Sequence, residues 1–252
     1  MDSLQHIWLG TVGYDQAWAL QRRLAAARAA GHIGDCVLCL EHPPVYTLGR
    51  STEPAHLGDG IEALRLRGAE CIEVDRGGSV TFHGPGQLVA YPILALSEHF
   101  PVPGSPGMGD VIAYVRTLEA ALIASAAACG VSATRRDGYT GAWVGRDKLA
   151  AIGVKLAGGI TQHGISLNVD VDLSWFSHVT PCGIEDGDVT SLRRLGIGDV
   201  SPADLLPVFS VALAGALGVE LESADDMVKS LCAAAAEQPD SAVLVGSDGK
   251  LP

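Results

Sequence analysis

Arg76-Gly77-Gly78-Ser79-Val80-Thr81-Phe82-His83-Gly84-Pro85-Gly86-Gln87 sits between two apolar runs, at 71–74 and 88–94, that read as β-strands bounded by turn residues. The segment holds four glycines, an arginine and a histidine. Glycine has no Cβ, so backbone of this kind can close on a ligand. A tight hairpin turn at 75–79 would account for Gly77 and Gly78. It leaves His83-Gly84-Pro85-Gly86 unexplained, where proline restricts the chain further. The pattern is not a P-loop, since it lacks G-x-x-x-x-G-K-[ST]. It is not a dinucleotide fingerprint either, since no G-x-G-x-x-G opens a helix.

Outward from this segment, strands alternate with helices. On the N-terminal side, 6–9 reads as a strand and 14–30 as a helix ended by Gly31. Strands follow at 36–40 and 45–48, around the His42-Pro43-Pro44 turn, and then a short helix at 61–67. On the C-terminal side, a Pro/Gly-rich connector at 101–107 leads into a helix over 109–129, stopped by Gly130. The stretch 141–171 is strand-rich, with strands at 141–144, 148–156 and 161–171 and glycines at the bends. Ser201-Pro202 opens a last amphipathic helix over 201–218. The expected fold is α/β (α+β), a single domain over 1–220 with a mixed or antiparallel sheet flanked by helices. Residues 221–252 read as a C-terminal extension of uncertain order, with a terminal helix and one candidate strand at 242–245.

With 29 acidic residues against 17 basic, the net charge is −12, which argues against a nucleic-acid binder held by phosphate contacts. The N-terminus has neither a basic segment nor an apolar core of signal-peptide type. The apolar stretch 111–130 is interrupted by Arg116 and Glu119, and 208–219 is too short to span a bilayer. The expectation is a cytoplasmic protein without membrane or nucleic-acid partners. Six cysteines in 252 residues fit a reducing compartment. Cys36 and Cys39 form a C-x-x-C, but within a strand such thiols point to opposite faces. No second ligand pair stands at zinc spacing, so core packing is expected and no metal.

The sixth thiol differs. Cys182 lies between Pro181 and Gly183 in a polar, loop-like context, whereas the other cysteines lie in apolar runs. A free thiol ionises near ~8.5, so a nucleophilic cysteine needs a cation or base beside it. Cys182 is therefore either such a nucleophile or an inert loop cysteine. The candidate partners are Lys148, Lys155, His83, His163 and His178. Lys148 opens an apolar strand directly after a turn, where it would reach over a cleft or simply be solvated.

At these residues the chain resembles the lipoyl(octanoyl) transferases. The matching motifs are Arg76-Gly77-Gly78-x-Val80-Thr81-x-His83-Gly84-Pro85-Gly86-Gln87, Lys148-x-x-x-Ile152-Gly153, His163-Gly164-x-x-Leu167-Asn168 and Pro181-Cys182-Gly183, with Tyr46-Thr47-Leu48-Gly49-Arg50 a further similar segment. The resemblance implies the fold of biotin and lipoate protein ligase catalytic domains. It implies that Cys182 carries the acyl group as a thioester and that Lys148 lowers its pKa. The acyl substrate would be lined by Arg76, Gly77, Gly78, Ser79, Val80, Thr81, Phe82, His83, Ala151, Ile152, Gly153, Gly164, Ile165 and Ser166. Octanoyl acyl carrier protein would be the donor. Lipoyl domains of 2-oxoacid dehydrogenase complexes and the glycine cleavage H protein would be the acceptors, with no cofactor. An ATP-dependent lipoate or biotin protein ligase and a cysteine thioesterase are the alternatives. Because such partners are acidic, Arg50, Arg146 and Arg135-Arg136 are the expected docking residues.

Overall fold

The computed structural model describes residues 3–180 and 187–236. In chain order its elements are β1 (Ser3–Thr11), α1 (Tyr14–Ala29), β2 (Asp35–Glu41), β3 (Val45–Leu48), α2 (Ile61–Leu66), β4 (Glu70–Glu73), β5 (Val80–His83), β6 (Gln87–Ile93) and α3 (Leu96–His99). There follow α4 (Val111–Ala128), β7 (Thr134–Arg136), β8 (Tyr139–Val144), β9 (Asp147–Ala157), β10 (Ile160–Asn168), α5 (Pro202–Leu217), β11 (Glu220–Ser223) and α6 (Asp226–Ala236). Eight strands form one mixed sheet in the order β11-β1-β2-β6-β10-β9-β8-β7. β1 is parallel to both its neighbours, and the other pairs are antiparallel.

The central strands read as unbroken apolar runs because both their faces are covered. Along β2, Cys36, Leu38 and Leu40 pack with α1 and α6, while Val37 and Cys39 face the opposite layer of α4 and α5. Along β6, Val89 and Tyr91 take the first side, Leu88 and Ala90 the second. This is the period of two written into a strand buried on both faces. The C-x-x-C thiols thus diverge as expected: both are fully buried, and burial pushes both thiols upward.

α4 is long and apolar enough to cross a membrane by composition alone. Here it is a core helix, with Tyr114, Leu118, Ala121, Leu122 and Ala126 buried against the sheet and α5. Asp110 caps it, accepting from the N–H groups of Ile112 and Ala113. α5 starts on a Ser201/Asp204 capping box and ends on Gly218 in the left-handed conformation. Past residue 220 the chain continues into the fold: β11 extends the sheet beside β1, and α6 packs on α1. The stretch 242–245 lies outside the described residues.

The glycine-rich segment is not a hairpin. β4 and β5 never touch, because β3 lies between them in a separate three-stranded sheet, parallel to β4 and antiparallel to β5. Residues 74–79 cross over the end of β3, and the two glycines serve that crossing.

Asp35, at the start of β2, is only 6% exposed and gathers three donors. Arg28 Nε approaches to 2.6 Å and the Ala95 N–H to 3.1 Å, with Arg28 and His99 also ion-paired in the cluster. Burial alone would raise this carboxyl's pKa, but the hydrogen bonds from His99 and Arg28 outweigh it and hold it below the usual range. Asp35→Ala removes the carboxylate that the nearly buried Arg28 and His99 share. It is expected to cost about 3 kcal/mol, read as a lower midpoint in urea. A change under about 0.5 kcal/mol would mean the cluster is solvated.

Candidate active site

The small sheet and the loop over it lie against the face of the main sheet that also carries α1. Between them runs a narrow crevice, lined among others by Arg76, Gly78, Thr81, His83, Ala151 and Ile152. The wall is completed by Gly153, Gly164, Ile165 and Ser166, together with Tyr14, Tyr91 and His163. Its floor follows from the β9/β10 register, which sets Gly153 opposite Gly164 and Ala151 opposite Ser166. Four small residues side by side leave a trough where larger ones would fill the space. A Cβ on Gly153 would come within 3.0 Å of Arg76 Cδ and 3.2 Å of Gly77 O, so this glycine lets the loop sit down on β9. The Gly77 N–H bonds Val154 O at 3.1 Å and ties the two together.

Period two sorts the glycine segment. Thr81 and His83 face the cavity, whereas Val80 and Phe82 point the other way into a separate core, Phe82 stacking on Trp175 at 5.1 Å. Ser79 is buried and bonds His56 Nδ1 at 2.8 Å. Ser79, Val80 and Phe82 therefore support the cavity wall rather than line it, as do Leu88 and Val89, which belong to the main cores. Gly77 borders the neighbouring cleft instead. Arg76 is a clamp: its guanidinium donates to Thr47 O at 2.7 Å, Thr47 Oγ1 at 2.8 Å and Gly77 O at 3.0 Å. Gly49 matters for the same reason, since a Cβ there would lie 2.4 Å from Gly78 O. That explains the glycine of the Tyr46–Arg50 segment, to which sequence reading assigned no role.

Lys148 borders a second, more open cleft with Tyr139, Thr140 and Val154. Gly78, Ile152 and Gly153 line both spaces, so the cavity and the lysine cleft meet along one wall. The lysine's placement depends on a β-bulge. Ala142 pairs with Ala150 but Trp143 with Lys148, which makes Leu149 the extra residue and re-aims the strand end. Lys148 is 5% exposed, with Nζ 4.8 Å from the centre of the fully buried Trp143 ring. An ammonium over an indole face is electrostatically favoured.

Cys182 lies outside the described residues. The chain just beyond it is held firmly at Lys148: the lysine N–H bonds Asp188 O at 2.8 Å, and the Thr190 N–H bonds the lysine O at 3.0 Å. A relay of hydrogen bonds also joins this point to the glycine segment. His83 Nδ1 donates to Gln87 Oε1 at 2.7 Å, Gln87 Nε2 to Asn168 Oδ1 at 2.9 Å, and Asn168 Nδ2 to Thr190 O at 2.9 Å. The motif residues Gln87 and Asn168 thus act as braces, a role visible only once three distant segments are folded together.

His83 and His42 are both buried. Burial pushes their pKa values down, to about 3 and about 4 respectively, with the neighbouring His42 adding to the effect on His83. His83 is thus a neutral brace, held by Gln87. A pH dependence follows. Above the ordinary value of 6.5 both imidazoles are neutral whether folded or not, and stability is complete. Below it the unfolded chain binds protons that the folded one refuses, so stability falls steadily as pH drops from ~6.5 toward 4. Urea midpoints at pH 7.5, 6 and 5 check this, and a flat series would contradict it.

Of the proposed docking arginines, Arg135 Nε pairs with the fully buried Glu119 at 2.8 Å, and Arg136 stacks on Tyr139 and Trp143. Both have structural roles. Arg50 is exposed beside Gly49.

A mixed sheet covered by helices on both faces thus holds a narrow trough with a buried lysine at its border, the arrangement of a candidate catalytic domain. Comparison places it. A model of the lipoyl protein ligase A/B catalytic domain matches residues 13–214. An octanoyltransferase of Chloroflexus aggregans is 45% identical over 236 residues, covering 92% of this chain and 95% of that one. Among solved structures, a chain from the bi-partite lipoate protein ligase and E2 lipoyl domain of Thermoplasma acidophilum aligns with TM-score 0.68 at 15% identity, over 93% of this chain and 92% of that. Biotin protein ligase from Aquifex aeolicus, in complex with biotin and ATP, aligns at TM-score 0.50 and 13% identity, over 85% of this chain and 70% of that. These two likenesses concern the fold alone. The chain belongs to the lipoyl protein ligase A/B catalytic-domain family and, within it, to the lipoyl(octanoyl) transferases. It is an acyltransferase.

Proposed function

We propose that the protein moves an octanoyl group from octanoyl acyl carrier protein to a lysine of an apo lipoyl domain, through an S-octanoyl-Cys182 intermediate, in the cytoplasm. The observation that supports this reading is the wall shared by the narrow trough and the Lys148 cleft. A chain lying in the trough brings its carbonyl end to Gly78, Ile152 and Gly153, beside the lysine. The anchoring of Asp188 on Lys148 adds support. Asp188 stands six positions after Cys182, at most ~20 Å of extended chain.

The ammonium of Lys148 stabilises the Cys182 thiolate. The thiolate attacks the thioester carbonyl, and the carrier's thiolate leaves and takes its proton from the Lys148 ammonium, which leaves that lysine neutral. The acceptor's ε-amine then attacks the acyl-enzyme. Its carbon–nitrogen bond forms as the carbon–sulfur bond breaks, and Lys148, neutral at that point, accepts the proton that the amine loses. Each methylene held in the trough contributes ~0.8 kcal/mol to binding. Thioester to amide is downhill, so the reaction needs no ATP. Acceptors of the 2-oxoacid dehydrogenase complexes and the glycine cleavage H protein fit this scheme.

The test is transfer from octanoyl carrier protein to a purified apo lipoyl domain with ATP omitted, read by intact mass. Modification of the domain is expected. Modification only with octanoate plus ATP would make the protein a ligase, and release of free octanoate alone would make it a thioesterase.

A further inference from the structure

The end of the cavity farthest from the lysine is built differently from the rest. From Gly153 on β9 the trough crosses Gly164 on β10 to Tyr91 on β6, two strand spacings away, or ~10 Å. Tyr91 and Tyr14, from α1, close it there, and both are at most 3% exposed. Each hydroxyl is engaged by a histidine. His42 Nδ1 donates to Val12 O at 2.6 Å, which leaves its Nε2 free to accept from the Tyr91 O–H at 2.7 Å. His163 Nε2 donates to Asp75 Oδ1 at 2.9 Å, so its Nδ1 accepts from the Tyr14 O–H at 3.3 Å. Asp75 is in turn ion-paired with Lys155. His163 holds this position at a φ of 54°, the only non-glycine residue with positive φ among those described.

With their hydroxyls bonded to these histidines, the two tyrosines are fixed where they close the cavity. Swinging Tyr91 aside to admit a longer chain would break its bond and strand a buried His42 nitrogen, a cost large against one extra buried methylene. We propose that Tyr91 and Tyr14, pinned by His42 and by the His163–Asp75 pair, form the end-stop that limits the acyl chain to about eight carbons. The inference rests on the acyl transfer proposed above.

Carrier-protein thioesters of six, eight, ten and twelve carbons are compared, with kcat/KM measured for each. The wild type is expected to prefer eight over twelve carbons by at least ~10-fold, one buried bond's worth of discrimination. Tyr91→Ala and Tyr91→Leu are expected to erase or reverse that ratio, chiefly through KM, because the trough is lengthened while Lys148 is untouched. Either variant, judged folded by its circular dichroism, is sufficient. An unchanged chain-length profile in a folded variant would overturn the end-stop while leaving the transferase reading intact. A wild type that accepts no acyl-carrier thioester of any length would instead remove the reading on which the end-stop rests.

Discussion

Lys148→Ala is expected to slow octanoyl transfer by ~10²–10⁴-fold, with the fold unchanged. The side chain serves both halves of the proposed reaction, as a cation for the thiolate and as the acceptor of the amine's proton. Its surroundings suit the first task. Burial, the Trp143 face and the backbone of residues 188–190 leave the ammonium one narrow range of positions at the border of the acyl cavity. Lys148→Arg separates the two tasks. A guanidinium keeps the charge but does not release its proton near neutral pH. Acylation of the enzyme should therefore recover in part, while transfer to the lipoyl domain stays low. In rapid-quench experiments the arginine variant should accumulate acyl-enzyme. Equal recovery of both steps would show that Lys148 acts through charge alone. A wild-type rate in the alanine variant would remove the lysine from the mechanism.

The second large effect concerns the thiol. Mixed with octanoyl carrier protein and no acceptor, the wild type is expected to gain one octanoyl increment in intact mass, and Cys182→Ser none. Transfer to the lipoyl domain should fall on the order of 10⁴-fold or more, because the nucleophile itself is lost. The other five cysteines give the control. Cys36, Cys39 and Cys232 are buried, the first two on opposite faces of β2, and burial lifts the Cys232 thiol to about 11. Cys71 and Cys129 are half-buried, and burial raises their pKa values too. Alkylation should accordingly be fastest at Cys182 and suppressed by prior acylation. An adduct on any other cysteine, or an undiminished rate in Cys182→Ser, would require a different nucleophile.

Much of the architecture was open to reading from local pattern. The helices at 14–29, 111–128 and 202–217 show their terminating glycines directly, and the last its Ser201-Pro202 start, because helix ends are settled by neighbours in the chain. The strands of 141–171 were equally plain. The three-stranded sheet was not. Two short strands joined by Gly77-Gly78 look like a hairpin, and nothing local announces that β3 comes between them. β11 escaped for a similar reason, as four half-exposed residues take their strand form from β1.

By itself, the order of amino acids determined the family motifs, the alternation of helix and strand, the chemical contrast between Cys182 and the buried thiols, and the choice of Lys148 over Lys155. These depend on residue type and spacing along one dimension. Only the tertiary structure decided which residues of the glycine segment face the cavity. Thr81 and His83 do, while Val80 and Phe82 support them from the far side. The tertiary structure also brought Tyr14, Tyr91 and His163 to the same wall and set Gln87 and Asn168 as braces between segments about 80 residues apart. The physical reason is that a side chain's direction is a property of strand register, and register is settled by packing between distant strands rather than by the residues adjacent in sequence.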